Sequence, residues 1–270
     1  VPKYAKRRVT AKTADYTVLV GESGQVFTTD GAAGPVVFNL PPAVVGLEGY
    51  FRVGAAQELR INPDGTETIA LPSTGVQGAA GMVVLPEGLL ARAADAARRV
   101  GALLILDEVA VGFGRSGHMF ACEREGVAPD MLCLAKGLTG GYLPMAATLT
   151  TERLFEAFLG DPAEGRTFFH GHTYTGNQLA AAAAHATLDI FERENVIAGL
   201  APKIERLAAE LARLWRLEAV GDVRQYGLAA GVELVADRAT KASYPASERR
   251  GMRVCRAARR RGVFLRPLGD

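Results

Sequence analysis

The sequence predicts an α/β fold: a layered domain around a buried, mainly parallel sheet, preceded by a small antiparallel β unit and followed by the opening of a second, smaller α/β domain. Three observations predict it. Residues 102–106 (ALLIL) and 131–135 (MLCLA) are solid apolar runs of strand length, the pattern of strands covered on both faces. Alanine-rich stretches with apolar residues three and four apart flank them, the spacing of helices that lie on a sheet. The first 75 residues lack that period and are cut into short pieces by Gly, Pro, Asn and Asp.

In chain order, residues 16–20, 25–28, 36–40, 50–53, 58–61 and 68–71 are short apolar or alternating runs. Turn clusters at 21–24 (GESG), 30–31 (DG), 41–42 (PP) and 62–65 (NPDG) separate them, which predicts antiparallel strands over residues 1–75. This unit carries no His or Cys, and it loosely resembles β modules of phage particle proteins. Residues 89–100 (LLARAADAARRV) predict an amphipathic helix that Gly101 ends. Strands at 102–106 and 131–135 follow, with a third at 144–150. Residues 179–193 and 196–215 predict long helices, the first with enough alanine for close packing. These elements make a large domain over 76–216. Over 217–270 the pattern is strand (231–235), helix (246–261) and strand (263–266), the start of a small C-terminal domain.

Composition narrows the function. An apolar fraction of 49% and a charged fraction of 22% describe an ordinary globular protein, and a net charge of +2 gives no basis for a nucleic-acid partner. No apolar run approaches the roughly 18–20 residues of a membrane span. The basic start VPKYAKRR has no apolar segment behind it and does not read as a secretory signal. The absence of an initiating Met reads as a processed or partial chain. Cys122, Cys133 and Cys255 are odd in number and far apart, fitting free thiols in a reducing cytoplasm.

Two residues stand where open α/β sheets place their ligands. Asp107 follows the strand at 102–106, and Lys136 follows the strand at 131–135. Taken alone they could be a structural ion pair. They could equally be a carboxylate that holds a pyridine nitrogen protonated and an amine that attacks carbonyls. Residues 112–117 (GFGRSG) satisfy the dinucleotide pattern G-x-G-x-x-G. They lie five residues past the strand and open no clear helix, which argues against a nicotinamide site. His170 and His172 lack a nearby third ligand for a metal, so no metal is expected. Arg249, Arg250, Arg253, Arg256 and Arg259–261 read as the solvated face of a helix.

The words around these residues are more specific. LILDEVAVGFGRSGHMFACE (104–123), PDMLCLAKGLTGGYLPMAATLTT (129–151) and FFHGHTYTGNQLAAAA (168–183) resemble the class III, fold-type-I aminotransferases, beginning at VQGAAGM (76–82). The resemblance implies pyridoxal 5'-phosphate as cofactor, with Lys136 as the Schiff-base lysine and Asp107 on the pyridinium nitrogen. It implies that Gly171, His172 and Thr173 reach the phosphate, in this family from the other subunit of a homodimer. Arg266 would grip a substrate carboxylate, as a planar bidentate donor can, and Gly171 would also contact substrate. The implied reaction is amino transfer from a small-molecule donor, S-adenosylmethionine or lysine, to 8-amino-7-oxononanoate in biotin synthesis, in the cytoplasm.

Two alternatives stand beside that reading: another ω-aminotransferase, acting on ornithine, 4-aminobutyrate or a similar amine, and a non-enzymatic protein carrying an inactive fragment. The sequence departs from the family where Leu71-Pro72-Ser73-Thr74-Gly75 replaces a Glu-Pro pair. No stretch of 1–75 resembles the family's small-residue phosphate cup. An incomplete or chimeric form is expected for that reason.

Overall fold

A computed structural model describes residues 75–77 and 81–268 and, before them, seven short strands. These are β1 (Val9–Ala11), β2 (Tyr16–Thr17), β3 (Val26–Thr28), β4 (Val36–Asn39), β5 (Tyr50–Arg52), β6 (Leu59–Asn62) and β7 (Thr68–Leu71). The turn clusters expected between them, and residues 78–80 of the VQGAAGM stretch, lie outside the described residues. Two units are distinguished: Val1–Ile69 with Asp95–Leu103, and Ala70–Ala94 with Leu104–Asp270.

In the first unit, strands appear where short runs were expected, but their pairing corrects the antiparallel expectation. β1, β3 and β5 form one sheet and β2, β4 and β6 another, and every pairing within both sheets is parallel. Successive strands alternate between the sheets, so each parallel neighbour is reached through a strand of the other sheet. Hairpins and such a coil share the same sequence punctuation. What separates them is the two-residue turn of a tight hairpin, and the connections here run from four to ten residues.

After β7, β8 (Val76–Gln77) pairs antiparallel to β9 (Val83–Val84). The helix α1 spans Leu89–Val100, as expected, and Gly101 ends it at a φ of +70°. The strand β10 (Leu103–Asp107) lies parallel to β11 (Met131–Leu134), with Asp107 opposite Cys133. The strand β12 (Ala147–Thr150) runs antiparallel to β11, and the sheet order is β12-β11-β10-β7. Leu104, Leu106, Leu132 and Leu134 are buried, whereas Ile105 and Cys133 on the opposite face are half-buried. A side chain of Asp130 locks the two parallel strands: its Oδ2 accepts from Leu104 N–H at 2.9 Å, and its own N–H donates to the Leu104 carbonyl at 2.9 Å.

Further on come the short helix α2 (Glu152–Glu156) and the alanine-rich α3 (Gln178–Arg193), capped by Asn177. The single helix expected over 196–215 is three pieces: a 3₁₀ turn Ala198–Leu200, α4 (Ala201–Ala212) and a 3₁₀ turn Arg213–Arg216. Pro202 sits in the first turn of α4, where its missing N–H costs no hydrogen bond. A hairpin of β13 (Val220–Tyr226) and β14 (Ala229–Leu234) follows. The helix α5 (Arg250–Arg259) forms within the stretch expected to be helical. Residues 263–266, expected as a strand, take no regular structure, and Phe264 is 80% exposed. An apolar run becomes a strand only beside a partner edge, and among the described residues it has none.

Candidate active site

Parallel pairing of β10 and β11 sends both strands out of the sheet at the same end. Asp107 is the last residue of β10, and Lys136 comes three residues after Cys133, the register partner of Asp107. The chain must turn sharply as it leaves the sheet, and Lys136 does so at a φ of +44°, in the left-handed region. Lys136 then opens the 3₁₀ turn Lys136–Thr139, whose Thr139 is buried and donates its hydroxyl to the Leu143 carbonyl at 2.6 Å.

The Lys136 side chain is exposed in a groove of about 350 Å³. The groove is lined by Lys136, Gly137, Gly140 and Gly141, by Phe113 and Arg115, and by Thr187 and Phe191 of α3. Gly137 is required there: a Cβ on it would stand 2.7 Å from Cβ of Phe113. Asp107 is half-buried, and its Oδ1 accepts the Val109 N–H at 2.9 Å. Among the described residues its other oxygen has no hydrogen-bond partner.

Beside Asp107 lies a residue that the sequence reading did not single out. Glu108 is 0% exposed, and its two oxygens accept the N–H groups of Ala121 (2.6 Å) and Cys122 (2.7 Å). Burial pushes its carboxyl above the usual range, although both N–H donors pull the other way. Burial, reinforced by the Glu108 charge, pushes the Cys122 thiol up to about 12. The signal for Glu108 was its period: Leu104, Leu106 and Glu108 alternate onto the buried face, and Asp107 falls on the other.

Of the expected residues only Lys136 lines this groove; Asp107 ends the neighbouring strand outside the lining, and the others lie elsewhere. Gly171, His172 and Thr173 are exposed; His172 accepts from Tyr174 N–H at Nδ1 (3.1 Å) and donates its own N–H to Thr175 Oγ1 (2.8 Å). Arg266 is exposed in the irregular 263–268 segment. A larger groove of about 470 Å³ runs along α5 between Arg250, Arg253, Arg256 and Arg260, and its lining holds neither an acid nor a nucleophile. The G-x-G-x-x-G stretch is a closed loop with no helix at its end. None of the three cysteines is in a disulfide.

The chain is similar to known proteins. The family described as Aminotransferase class-III matches residues 56–270. An adenosylmethionine-8-amino-7-oxononanoate aminotransferase of Nitratidesulfovibrio vulgaris is 62% identical over 195 residues, covering 72% of this chain and 36% of the relative. The crystal structure of the enzyme of that name from Methanocaldococcus jannaschii is 49% identical, with a TM-score of 0.73 over 75% of this chain and 47% of that one. An amine transaminase of an uncultivated Pseudomonas species, solved in its PLP-bound internal aldimine form, is 40% identical with a TM-score of 0.69, over 75% and 46% of the two chains. The chain spans between about a third and a half of the length of the curated relatives it matches, 36% to 54%.

Proposed function

The chain belongs to the class-III aminotransferases, and from that premise we propose that it carries the reactive lysine of an enzyme that transfers an amino group to 8-amino-7-oxononanoate. One observation supports this above the others: an exposed amine, Lys136, in a groove at the end of one parallel strand, with the Asp107 carboxylate at the end of the next. The names of the relatives supply the acceptor and favour S-adenosylmethionine over lysine as donor. Another ω-aminotransferase is the second reading, because the Pseudomonas relative is named an amine transaminase.

The residues fit pyridoxal phosphate. A primary amine is exposed among glycines that leave room for a flat ring, and the carboxylate that ends the neighbouring strand has one oxygen with no described partner. When bound, the cofactor supplies an electron sink that makes a proton on the donor carbon acidic. Lys136 is the base that takes that proton at Nζ and returns it elsewhere. Asp107 would accept a hydrogen bond from the protonated ring nitrogen, its charge favouring that protonation. Phe113 and Phe191 limit water at the mouth of the groove.

Gly171, His172 and Thr173 are assigned to the phosphate of a partner subunit in a homodimer, which fits their exposure here. Arg266 is assigned to a substrate carboxylate, a role for an exposed guanidinium that domain closure would bring inward. Three thiols outside any disulfide favour a cytoplasmic setting. No described helix is long and apolar enough to cross a membrane.

The test is spectroscopic. With pyridoxal phosphate added, the chain should absorb at about 410–430 nm, the band of the cofactor joined to an amine. Lys136→Ala should abolish the band. An unchanged spectrum in the variant would remove Lys136 from the mechanism.

A further inference from the structure

We propose that Glu108 is a positioning residue for Lys136, acting through the loop that carries Phe113. The inference rests on reading Lys136 as the reactive amine. A buried carboxylate is costly unless its oxygens are satisfied, and no described cation pairs with Glu108. Its partners are instead the backbone N–H groups of Ala121 and Cys122, where the loop after β10 ends. The beginning of the same loop is tied to the same residue, because the Gly112 N–H donates to the Glu108 carbonyl at 2.9 Å. Glu108 thus clasps both ends of the loop, and its own N–H donates to the Cys133 carbonyl of β11 at 2.9 Å.

What the clasp holds is strained. Phe113 sits at a φ of +56°, a conformation unfavourable for a bulky side chain. It is fixed by its N–H bond to the Met119 carbonyl (2.7 Å) and by edge-on packing against Phe120 and Phe191, with ring centroids 5.8 and 6.3 Å away. Its Cβ then occupies the space beside Gly137, so the only side chain tolerated at 137 is none. Lys136, the next residue back, is the second strained position, at a φ of +44°. Two unfavourable backbone conformations that meet at a glycine persist only when their surroundings over-determine them. Here Glu108 contributes at both ends of the loop, its carbonyl holding Gly112 and its carboxylate holding Ala121 and Cys122. If the loop relaxes, Phe113 withdraws, the turn at Lys136 loses its wall, and the amine samples orientations away from the groove.

The test compares rates at single residues. The 270-residue chain is treated with pyridoxal phosphate and borohydride. The amine adds to the aldehyde with loss of water, and hydride from borohydride fixes the adduct on nitrogen. Labelling is then mapped at Lys136 and at exposed Lys203, with amide hydrogen exchange measured alongside. Glu108→Gln keeps the size but turns an amide N–H₂ toward one backbone donor. Losing that bond should slow Lys136 labelling about tenfold, leave Lys203 unchanged, and speed exchange at Ala121, Cys122 and the Lys136–Thr139 turn. Lys136 labelling within about twofold of the parent, a difference well below one hydrogen bond, would overturn the proposal.

Should Glu108→Gln not fold, Phe113→Leu decides. It should slow Lys136 while protection at Ala121 and Cys122 is kept, and an unchanged Lys136 rate in this variant overturns the proposal equally. Failure of the parent chain to label Lys136 while Lys203 labels is a separate result. It sinks the assignment of Lys136 itself and this inference with it.

Discussion

A methyl group added at Gly137 would meet Phe113 Cβ at 2.7 Å, closer than carbon atoms approach, and the strained backbone on both sides leaves little freedom to yield. Gly137→Ala is therefore an overpacking mutation expected to cost about 1–3 kcal/mol; an unchanged denaturant midpoint would show that the contact relaxes freely. Cys122 offers a second residue-scale outcome. An ordinary thiol ionises near 9, and burial beside Glu108 raises Cys122 to about 12. The native chain therefore holds this proton through pH 9–12 while the unfolded chain loses it, so this contribution to stability is full below pH 9 and falls as pH rises to about 12. Native Cys122 should resist iodoacetamide at pH 8 and react only on unfolding, and modification at the rate of a free thiol would contradict the burial. The strand-end positions of Asp107 and Lys136 were legible because each follows an apolar run of strand length. Glu108 was not, because beside Asp107 it reads as one more surface acid until strand alternation is applied to it.

At the scale of elements, α3 forms one wall of the groove through Thr187 and Phe191, so its start bears on the site. Asn177 caps it, accepting the Ala180 N–H at Oδ1 (3.0 Å), and Ala180 and Ala184 are the buried positions of the helix. Asn177→Ala should cost about 0.5–2 kcal/mol, read as a lower thermal midpoint, whereas Asn177→Asp should stay close to the parent; equal losses in both would show that the cap is not the cause. This helix was readable from alanine content and period. The strand β13 was not, because Gly221 and a register shift at Val220/Asp222 interrupt its alternation, and Asp222, Arg224 and Gln225 make it look like loop. Those polar residues are engaged: Arg224 bonds Asp222 and Glu233 at 2.6 Å each and reaches the Gly81 carbonyl at 2.8 Å. Pairing direction in the first 75 residues was likewise beyond the sequence. Short runs with turn punctuation specify strands, while the choice between hairpin and coil is made by the path of the connections.

At the scale of the whole molecule, large apolar side chains face outward in the segment that carries the expected phosphate residues: Phe169 is 92% exposed and Tyr174 74%. Large apolar side chains gathered on one exposed segment are a candidate association surface. Gly171, His172 and Thr173 stand between Phe169 and Tyr174 in the chain, are exposed, and are outside the lining of the Lys136 groove. The two facts have one explanation in the proposed homodimer, where each chain supplies phosphate donors to the other. Charge-assisted bonds to a phosphate contribute roughly 1.5–3 kcal/mol each, and one decade of affinity is about 1.4 kcal/mol. A chain without its partner, lacking those donors, should then retain the cofactor weakly. Retention should rise with protein concentration in step with dimer formation, followed by sedimentation and by the absorbance of bound cofactor on the same samples. Phe169→Ser combined with Tyr174→Ser should lower both together without altering Lys136, and amino transfer to 8-amino-7-oxononanoate by the monomeric variant should be a small fraction of that of a whole relative. Cofactor retention that stays constant while the dimer dissociates would mean that one chain supplies all the phosphate donors, and Gly171, His172 and Thr173 would lose the role assigned to them.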